Sequence, residues 1–345
     1  MPPSKDKLED VTLGAFAYAP QSELVDHAVR FLSSWSGSDK AFMIIQYSLK
    51  IVIPYLHLRA RLQQKAGMSK DAKSPTADAL AKLYGIIGDS RMLWRFFGLL
   101  SIYQWMTGLE RSQPPTRKLL SIERLQGWSM VLYYPLEHLY YLRAHALLPL
   151  SLSLPVALPF LTRNKKLTLD INKLGLWSTR FWAAYVLLQF AHLGEDFDLL
   201  RMRERALSKI ISKGKGKERE EGTGGVDVGS QEREELSTRR SALLNELVVN
   251  LGYLPLTIHW SLEKGLFQND IWVGVFGLIA GIASFRSGWK ATALPAAEPS
   301  VLPSTMVTSP TSDEKPLAGF DADMDSATAN VTASQEIGGS FVVAN

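Results

Sequence analysis

The feature that most limits how this chain can fold is an uncharged run near its C-terminus, IWVGVFGLIAGIASF, at residues 271–285. Its fifteen residues form only about 22 Å of helix, whereas a bilayer core requires about 20 apolar residues. Including Ser287, Gly288 and Trp289 makes a membrane span possible if the side chain of Arg286 reaches the interface. The alternative is a buried helix of a soluble bundle.

Three glycines favour the membrane interpretation of this run. Gly277 and Gly281 have the spacing of a small-xxx-small pair, which lets helices approach closely in lipid, and Gly274 precedes them. In water each glycine would weaken a helix by roughly 1 kcal/mol relative to alanine. In a bilayer that cost is offset, because backbone groups cannot hydrogen-bond to water instead. We therefore expect a membrane-anchor helix that packs through its glycines.

The rest of the chain favours an all-α fold, a membrane-associated helical bundle. Its apolar segments are long, and no series of short alternating strands is present. Three prolines fall inside expected helices, and each is expected to kink its helix or end it early: Pro54, Pro135 and Pro255. The expected helices cover residues 22–63, 77–110, 117–148, 170–211, 239–264 and 268–290.

The domain organisation follows from composition. An N-terminal segment (1–21) precedes the helical domain (22–290), which contains a low-complexity loop insert at 212–235. Residues 291–345 are expected to be a disordered tail, because they hold too little apolar surface to fold alone. Seven acids and one lysine give the tail a charge of about −6, so the total of +4 leaves about +10 for residues 1–290. A basic body suits an anionic partner such as lipid headgroups.

A second stretch, residues 38–62, predicts an amphipathic helix. Its polar residues are spaced 7, 4, 7 and 4 apart and so share one stripe: Asp39, Gln46, Lys50, His57 and Arg61. A narrow basic stripe beside a broad apolar face is typical of a helix that lies in a lipid surface. Each basic residue would gain up to about 1 kcal/mol beside anionic lipid. The expected membrane-binding residues are Lys40, Phe42, Ile45, Lys50, Val52, Arg59 and Arg61. Periodicity alone equally allows an ordinary bundle helix whose polar stripe is exposed to solvent.

Several segments together resemble the fungal branch of the peroxin-eleven family, the elongation and division factors of the peroxisomal membrane. Residues 30–52 (RFLSSWSGSDKAFMIIQYSLKIV) are similar to its signature helix, with Gly, Asp-Lys and Gln-Tyr at this spacing. Residues 88–100, 133–148 and 176–190 resemble further family blocks, and residues 271–285 its terminal membrane segment. Ser38 replaces a basic residue of the family pattern, which removes one lipid-facing charge. The insert and the acidic tail are not family features.

The resemblance implies a peroxisomal membrane protein with both termini in the cytosol. It implies membrane elongation, proliferation and fission through amphipathic-helix insertion and self-association, with an anionic phospholipid membrane, further copies of the chain and the division machinery as partners. Basic residues at 201–217 on the cytosolic side agree with the positive-inside rule.

Catalytic and metal-binding patterns are weak throughout. No nucleotide-binding glycine motif lies between a strand and a helix, so neither an enzyme nor a cofactor is expected. His138 and His145 are seven residues apart, which is not the one-turn spacing of a helical metal motif. The DADMD stretch (321–325) lacks the glycine and closing glutamate of a calcium loop. No metal site is therefore expected.

Two other functions remain open from the sequence. The first is a pore or metabolite channel, because charges inside a membrane mark conduction paths, and the candidates are Arg95, Glu137 and Arg143. The second is a soluble helical interaction protein. Nucleic-acid binding is not expected, because the basic residues near 201–219 lack interleaved aromatic residues for base stacking.

Overall fold

A computed structural model of the chain describes residues 22–68, 70–152, 167–217 and 225–293, together with Gly14 and Pro20. Side chains are described over the same ranges except at 151, 152, 167, 213–217 and 225–229. The expected acidic tail, the DADMD stretch and nearly all of the N-terminal segment lie outside the described residues.

The described residues are almost entirely helical, which confirms the all-α prediction. The α-helices are α1 (Glu23–Leu32), α2 (Trp35–Lys65), α3 (Pro75–Trp94), α4 (Gly98–Arg111), α5 (Arg117–Ala144), α6 (Ile171–Lys217), α7 (Gly225–Ser261) and α8 (Ile271–Ala291). A 3₁₀ turn, Arg95–Phe97, joins α3 to α4. Two-residue strands β1 (Ser151–Leu152) and β2 (Leu167–Thr168) pair antiparallel between α5 and α6.

Helix boundaries follow local capping. Three helices begin with a side-chain cap: the hydroxyls of Ser34, Ser74 and Thr116 accept hydrogen bonds from backbone N–H groups in the first turns of α2, α3 and α5. These N–H groups have no hydrogen-bond partner within the helix itself. The Ser34 cap divides the expected helix 22–63 into α1 and α2. The 3₁₀ turn likewise divides the expected helix 77–110, so both single-helix predictions were wrong.

Two other expectations concern where helices end. Pro54, Pro135 and Pro255 all lie inside helices, and none of those helices ends there. The helices α6 and α7 also run into the expected loop insert, ending at Lys217 and beginning at Gly225. Lysine, arginine and glutamate are good helix formers, so low complexity did not prevent helix formation here. Residues 218–224 lie outside the described part of the chain.

Neighbouring helices pack antiparallel in the order α3, α2, α8, α7, α6, α5, α4. The direction is visible along α8: Gly274 lies against Tyr47 and Lys50 of α2, whereas Gly288 lies against Lys40. On its other side, α8 packs on α7, where the Asn245 side chain donates to the backbone oxygen of Ala283. The last helix is therefore inserted between α2 and α7 and completes the bundle.

Besides an apolar core, the bundle holds several polar side chains inside and exposes many large apolar side chains. Buried polar residues include Asp39, Gln46, Arg91, Arg95, Gln126, Glu137 and Gln189. Exposed apolar residues occur on every helix of the bundle, for example Phe42, Leu100, Trp128, Leu187, Leu251 and Ile282. Buried polar side chains together with many exposed large apolar ones are unusual for a protein surrounded by water, so this arrangement fits a bundle whose surroundings are lipid.

Three helices are long and apolar enough to cross a membrane by length and composition: α2, residues Ser230–Ser261 of α7, and α8. From its sequence, α8 was the best candidate for a span. At 21 residues, α8 extends about 32 Å, close to the roughly 30 Å of a bilayer core.

Candidate membrane-facing surface and the polar network behind it

The α2 helix carries the residues that the sequence singles out for membrane binding. Its start requires Gly37, because a Cβ atom there would lie 2.0 Å from the backbone oxygen of Phe31 at the end of α1. The 31 residues of α2 then run without interruption, so the side chains divide cleanly between an inner and an outer face.

The polar stripe of α2 faces the protein at its N-terminal half. Arg91 of α3, with 1% of its surface exposed, donates from Nε and Nη2 to the two carboxylate oxygens of Asp39 at 2.7 and 2.9 Å. Its Nη1 donates to Gln46 Oε1 at 2.8 Å. A bidentate arginine–carboxylate pair of this kind fixes both orientation and register, so the stripe aligns α2 against α3.

The same stripe continues towards the C-terminal half of α2 with contacts to other helices. Lys50 Nζ lies 3.4 Å from the Asp270 carboxylate at the start of α8. His57 Nε2 lies 3.8 Å from the Asp78 carboxylate in the first turn of α3. Only Arg61 at the end of the stripe is exposed. The stripe therefore contacts protein over most of its length.

The seven expected membrane-binding residues occupy different surroundings. Phe42, Ile45 and Val52 are exposed on the outer face, and Arg59 and Arg61 are exposed at its C-terminal end. Lys40 is buried, with its ammonium nitrogen 2.6 Å from the position that a Cβ of Gly288 would take, and Lys50 is largely covered beside Asp270. The structure thus leaves five of the seven exposed, four of them on the outer face and Arg61 on the polar stripe, and covers the other two, both lysines.

The outer face of α2 is a continuous apolar strip, which we call the outer strip: Phe42, Ile45, Val52, Tyr55, Leu58 and Leu62. All six side chains are exposed. The strip extends over 20 residue steps, or about 30 Å of helix. An exposed apolar surface of this length marks a lipid or protein contact.

The glycines of α8 line its contact with α2. A Cβ at Gly277 would lie 2.3 Å from the ring of Tyr47, and a Cβ at Gly274 would lie 2.9 Å from Ile51. At Gly281 the nearest atom would be 3.4 Å away, which is ordinary contact. Two of the three glycines are therefore needed for close approach, and Gly281 has room for a methyl group.

A further close-packed glycine, at the contact of α8 with α7, was missed by sequence reasoning. Gly252 of α7 faces α8, and a Cβ there would lie 2.8 Å from the backbone nitrogen of Ala280 and 2.9 Å from the backbone oxygen of Phe276. Gly252 is one position from the buried Tyr253 in a stretch with no glycine repeat, so only the contact itself reveals its role.

Two further buried polar groups support the bundle. Arg95 Nη2 and Glu137 Oε1 lie 3.1 Å apart, and Tyr133 Oη donates to the same carboxylate at 2.5 Å. Burial raises the pKa of Glu137, and the charge of Arg95 opposes that shift. These two candidates for a conduction path are therefore paired with each other.

The second group joins α5, α6 and α7. Gln126 donates to Gln189 at 2.5 Å, and Gln189 donates to Glu246 at 2.6 Å. One helical turn further, His192 lies 3.3 Å from Glu123 and 3.6 Å from Asp196. Each helix of this part of the bundle is thus tied to the next by buried hydrogen bonds.

The two histidines considered as metal ligands do not meet. The His138 ring stacks on Phe96 with centroids 4.4 Å apart, whereas His145 Nε2 lies 2.7 Å from the Asp89 carboxylate. No group of three or more candidate ligands is arranged to hold a metal ion among the residues that the structure describes.

Comparison with known proteins gives one match. Residues 25–157 match the model of the family described as Peroxisomal biogenesis factor 11 (PEX11). The match covers α1 to α5 and thus the signature helix and the blocks at 88–100 and 133–148, while the blocks at 176–190 and 271–285 lie beyond it. No curated protein matched the chain, and no solved structure did.

The family consists of peroxisome biogenesis factors rather than enzymes, and its members are proteins of the peroxisomal membrane with a role in peroxisome proliferation and division. Apolar outer surfaces and three helices of membrane-spanning length agree with that setting. The match over residues 25–157, less than half of the chain, supports a peroxin-eleven family protein.

Proposed function

We propose that this protein promotes elongation, proliferation and fission of peroxisomes by inserting the outer strip of α2 into the peroxisomal membrane and by associating with further copies of itself. The observation that carries the proposal is the orientation of α2: its polar stripe contacts α3 and α8, and its apolar strip faces outwards.

The orientation changes which residues are expected to contact lipid. Lys40 and Lys50 lie inside the bundle, so the apolar side chains supply most of the insertion energy. Burying such a side chain fully contributes about 1.5–3 kcal/mol. Arg59 and Arg61, exposed at the C-terminal end of the strip, are left to contact anionic headgroups. A strip inserted into one leaflet expands that leaflet and favours curvature.

Self-association is supported by the apolar surfaces of other helices. On α7 the exposed side chains Leu244, Val248, Leu251 and Ile258 follow one face. Copies that pack through such faces would concentrate inserted α2 helices in one area of membrane. We propose residues 22–290 as the unit that does so, and the division machinery as the partner recruited to it.

The test uses the full-length tagged protein, overexpressed in cells with a lumenal peroxisome marker. Replacing Ile45 and Val52 by aspartate puts two charges on the outer strip, each costing about 2.5–3.5 kcal/mol at a bilayer centre. The matched control puts two aspartates at exposed polar positions, Gln64 and Thr76. We expect the wild type and the control to elongate or multiply peroxisomes and the I45D/V52D variant to lose that effect.

Elongation by I45D/V52D equal to that of the control would refute insertion of the outer strip. Peroxisomes of unchanged shape and number in cells expressing the wild type would refute the remodelling function itself. The pore alternative has less support, because Arg95 and Glu137 form an ion pair. Conductance of membranes containing the reconstituted protein would decide that question.

A further inference from the structure

The C-terminal end of α2 carries a groove on the outer face of the helix. The groove, which we call the end groove, has a volume of about 330 Å³ and is lined by Tyr55, Leu58, Arg59, Leu62, Gln63, Ala66 and Met68. Residues 55, 58, 59, 62 and 66 follow the spacing of one helix face. The end groove is therefore built on the C-terminal part of the outer strip.

The turn that ends α2 completes this groove. Gly67 has a φ of +71°, a left-handed conformation that glycine adopts without strain. The N–H of Gly67 donates to the backbone oxygen of Gln64 at 3.0 Å, and the N–H of Met68 donates to that of Gln63 at 2.9 Å. This pair of bonds is the Schellman ending of a helix, which turns the residue after the glycine back towards the last turn. Met68 is therefore folded back and forms part of the groove wall.

The size of the end groove fits one extended chain. Its walls are open to the surroundings, since Leu58, Leu62 and Met68 each expose at least half of their surface. From Tyr55 to Ala66 the groove follows 11 residue steps, or about 17 Å of helix. That length is close to half of the roughly 30 Å bilayer core, which is the depth of one leaflet. A second helix, about 10–12 Å across, would need several times the volume of the groove over that length.

Two cations stand beside the apolar walls. Arg59 lines the groove, and Lys65 lies in the last turn of α2. Both side chains are exposed, and within the described ranges no ion pair holds either of them. Residues 59–73 contain five cations and one acid, so the end of α2 attracts anions. An apolar groove of chain width beside cations complements a phospholipid with an anionic headgroup.

We infer that the end groove holds one acyl chain of an anionic phospholipid, whose headgroup meets Arg59 and Lys65. The inference rests on the proposed contact of the outer strip with the membrane, because the groove is the C-terminal part of that strip. It adds a discrete site for one lipid per chain, whereas an apolar strip by itself contacts many lipids without a fixed position. The site ties the end of α2 to areas of membrane that are rich in anionic lipid.

The test uses the full-length protein in phosphatidylcholine vesicles that contain a small fraction of a photoreactive lipid. The probe is phosphatidylserine with a diazirine in one acyl chain, and the comparison probe is phosphatidylcholine with the same chain. After illumination, mass spectrometry of peptides locates the labelled residues. We expect the phosphatidylserine probe to label Leu58, Leu62 and Met68 in preference to Phe42 and Ile45. This label should saturate as the probe fraction rises, and unlabelled phosphatidylserine should compete with it.

Filling the groove separates a lipid site from general membrane contact. Ala66→Trp places an indole ring in the groove and should remove the excess label at Leu58 and Leu62. The matched control Ile45→Trp puts the same ring on the outer strip but outside the groove, and it should keep that excess.

Removing the cations tests headgroup recognition. Arg59→Gln combined with Lys65→Gln should lower the preference for phosphatidylserine over phosphatidylcholine by about fivefold per cation, the factor that corresponds to about 1 kcal/mol for each cation near an anionic surface. The matched control replaces two other exposed lysines, Lys82 and Lys264, by glutamine. It should leave the preference unchanged.

The possible failures are distinguishable. Label spread evenly along the outer strip, with equal yield from the two probes, would overturn the lipid site and leave insertion of the strip standing. The absence of label from the whole strip would refute the insertion itself, and the lipid site with it. Label in the groove that increases as the protein is diluted in lipid would assign the groove to another copy of the chain, which would also overturn the inference.

Discussion

Replacing Gly277 with alanine should destabilise the bundle more than the same replacement at Gly281, although both glycines lie on one face of α8. At Gly277 the new methyl carbon would stand 2.3, 2.4 and 2.5 Å from Cδ1, Cε1 and Cγ of Tyr47, where carbon atoms normally keep about 3.5–4.0 Å. Since Cγ is the root of the ring and Tyr47 is fully buried, the ring cannot turn away without moving its neighbours.

The size of the effect follows from comparing the two variants. Overpacking of a filled core costs about 1–3 kcal/mol, and that term applies at Gly277. Alanine also gains up to about 1 kcal/mol of helix propensity over glycine, but this gain is common to both variants. The nearest atoms at Gly281 are 3.4 Å or more away, so the difference between the variants isolates the overpacking cost of about 1–3 kcal/mol.

The measurement is thermal unfolding of each variant in nanodiscs, followed by far-ultraviolet circular dichroism. For a chain of this size each kcal/mol shifts the midpoint by about 2–4 °C, so G277A should unfold several degrees below G281A. A double-mutant cycle adds Tyr47→Ala, which removes the ring. The cost of G277A should then disappear, with a coupling energy of about 0.5–3 kcal/mol. Equal midpoints for G277A and G281A, or zero coupling to Tyr47, would refute the assigned contact.

Two further predictions concern the buried polar groups. Arg91→Leu leaves the Asp39 carboxylate buried without its cation, so we expect a loss of roughly 3–5 kcal/mol in unfolding free energy; exposed Arg59→Leu serves as the control, and a loss below about 1 kcal/mol would contradict the pairing. Burial lowers the pKa of His192, but its hydrogen bond to Glu123 and the charges of Asp196, Glu123 and Glu246 outweigh burial and raise that pKa overall. The protonated His192 side chain therefore contributes its full stabilisation below about pH 6.5, and this stabilisation is lost as pH rises through the folded-state pKa of His192. Unfolding midpoints from about pH 6 to pH 8 should fall less in His192→Gln than in the wild type, and parallel curves would contradict the shift.

Much of the fold was predictable because helix periodicity is a local property. The all-α class, the positions of most helices and the glycine-rich helix at 271–290 all followed from spacing and composition. The breaks at Ser34 and at Arg95–Phe97 were missed, because apolar residues continue on both sides and a single hydroxyl cap is a weak signal. The extent of α6 and α7 was missed because low complexity was given more weight than the helix propensity of lysine, arginine and glutamate.

The sequence by itself determined that Asp39, Gln46, Lys50, His57 and Arg61 share one stripe of a helix, since 3.6 residues per turn fixes their angle. Only the tertiary structure decided which way the stripe faces. That direction depends on Arg91 and Asp270, which lie 52 and 220 residues from their partners along the chain. Burying a charge is costly unless an opposite charge meets it, and this energy turns the polar stripe inwards and leaves the apolar strip facing outwards.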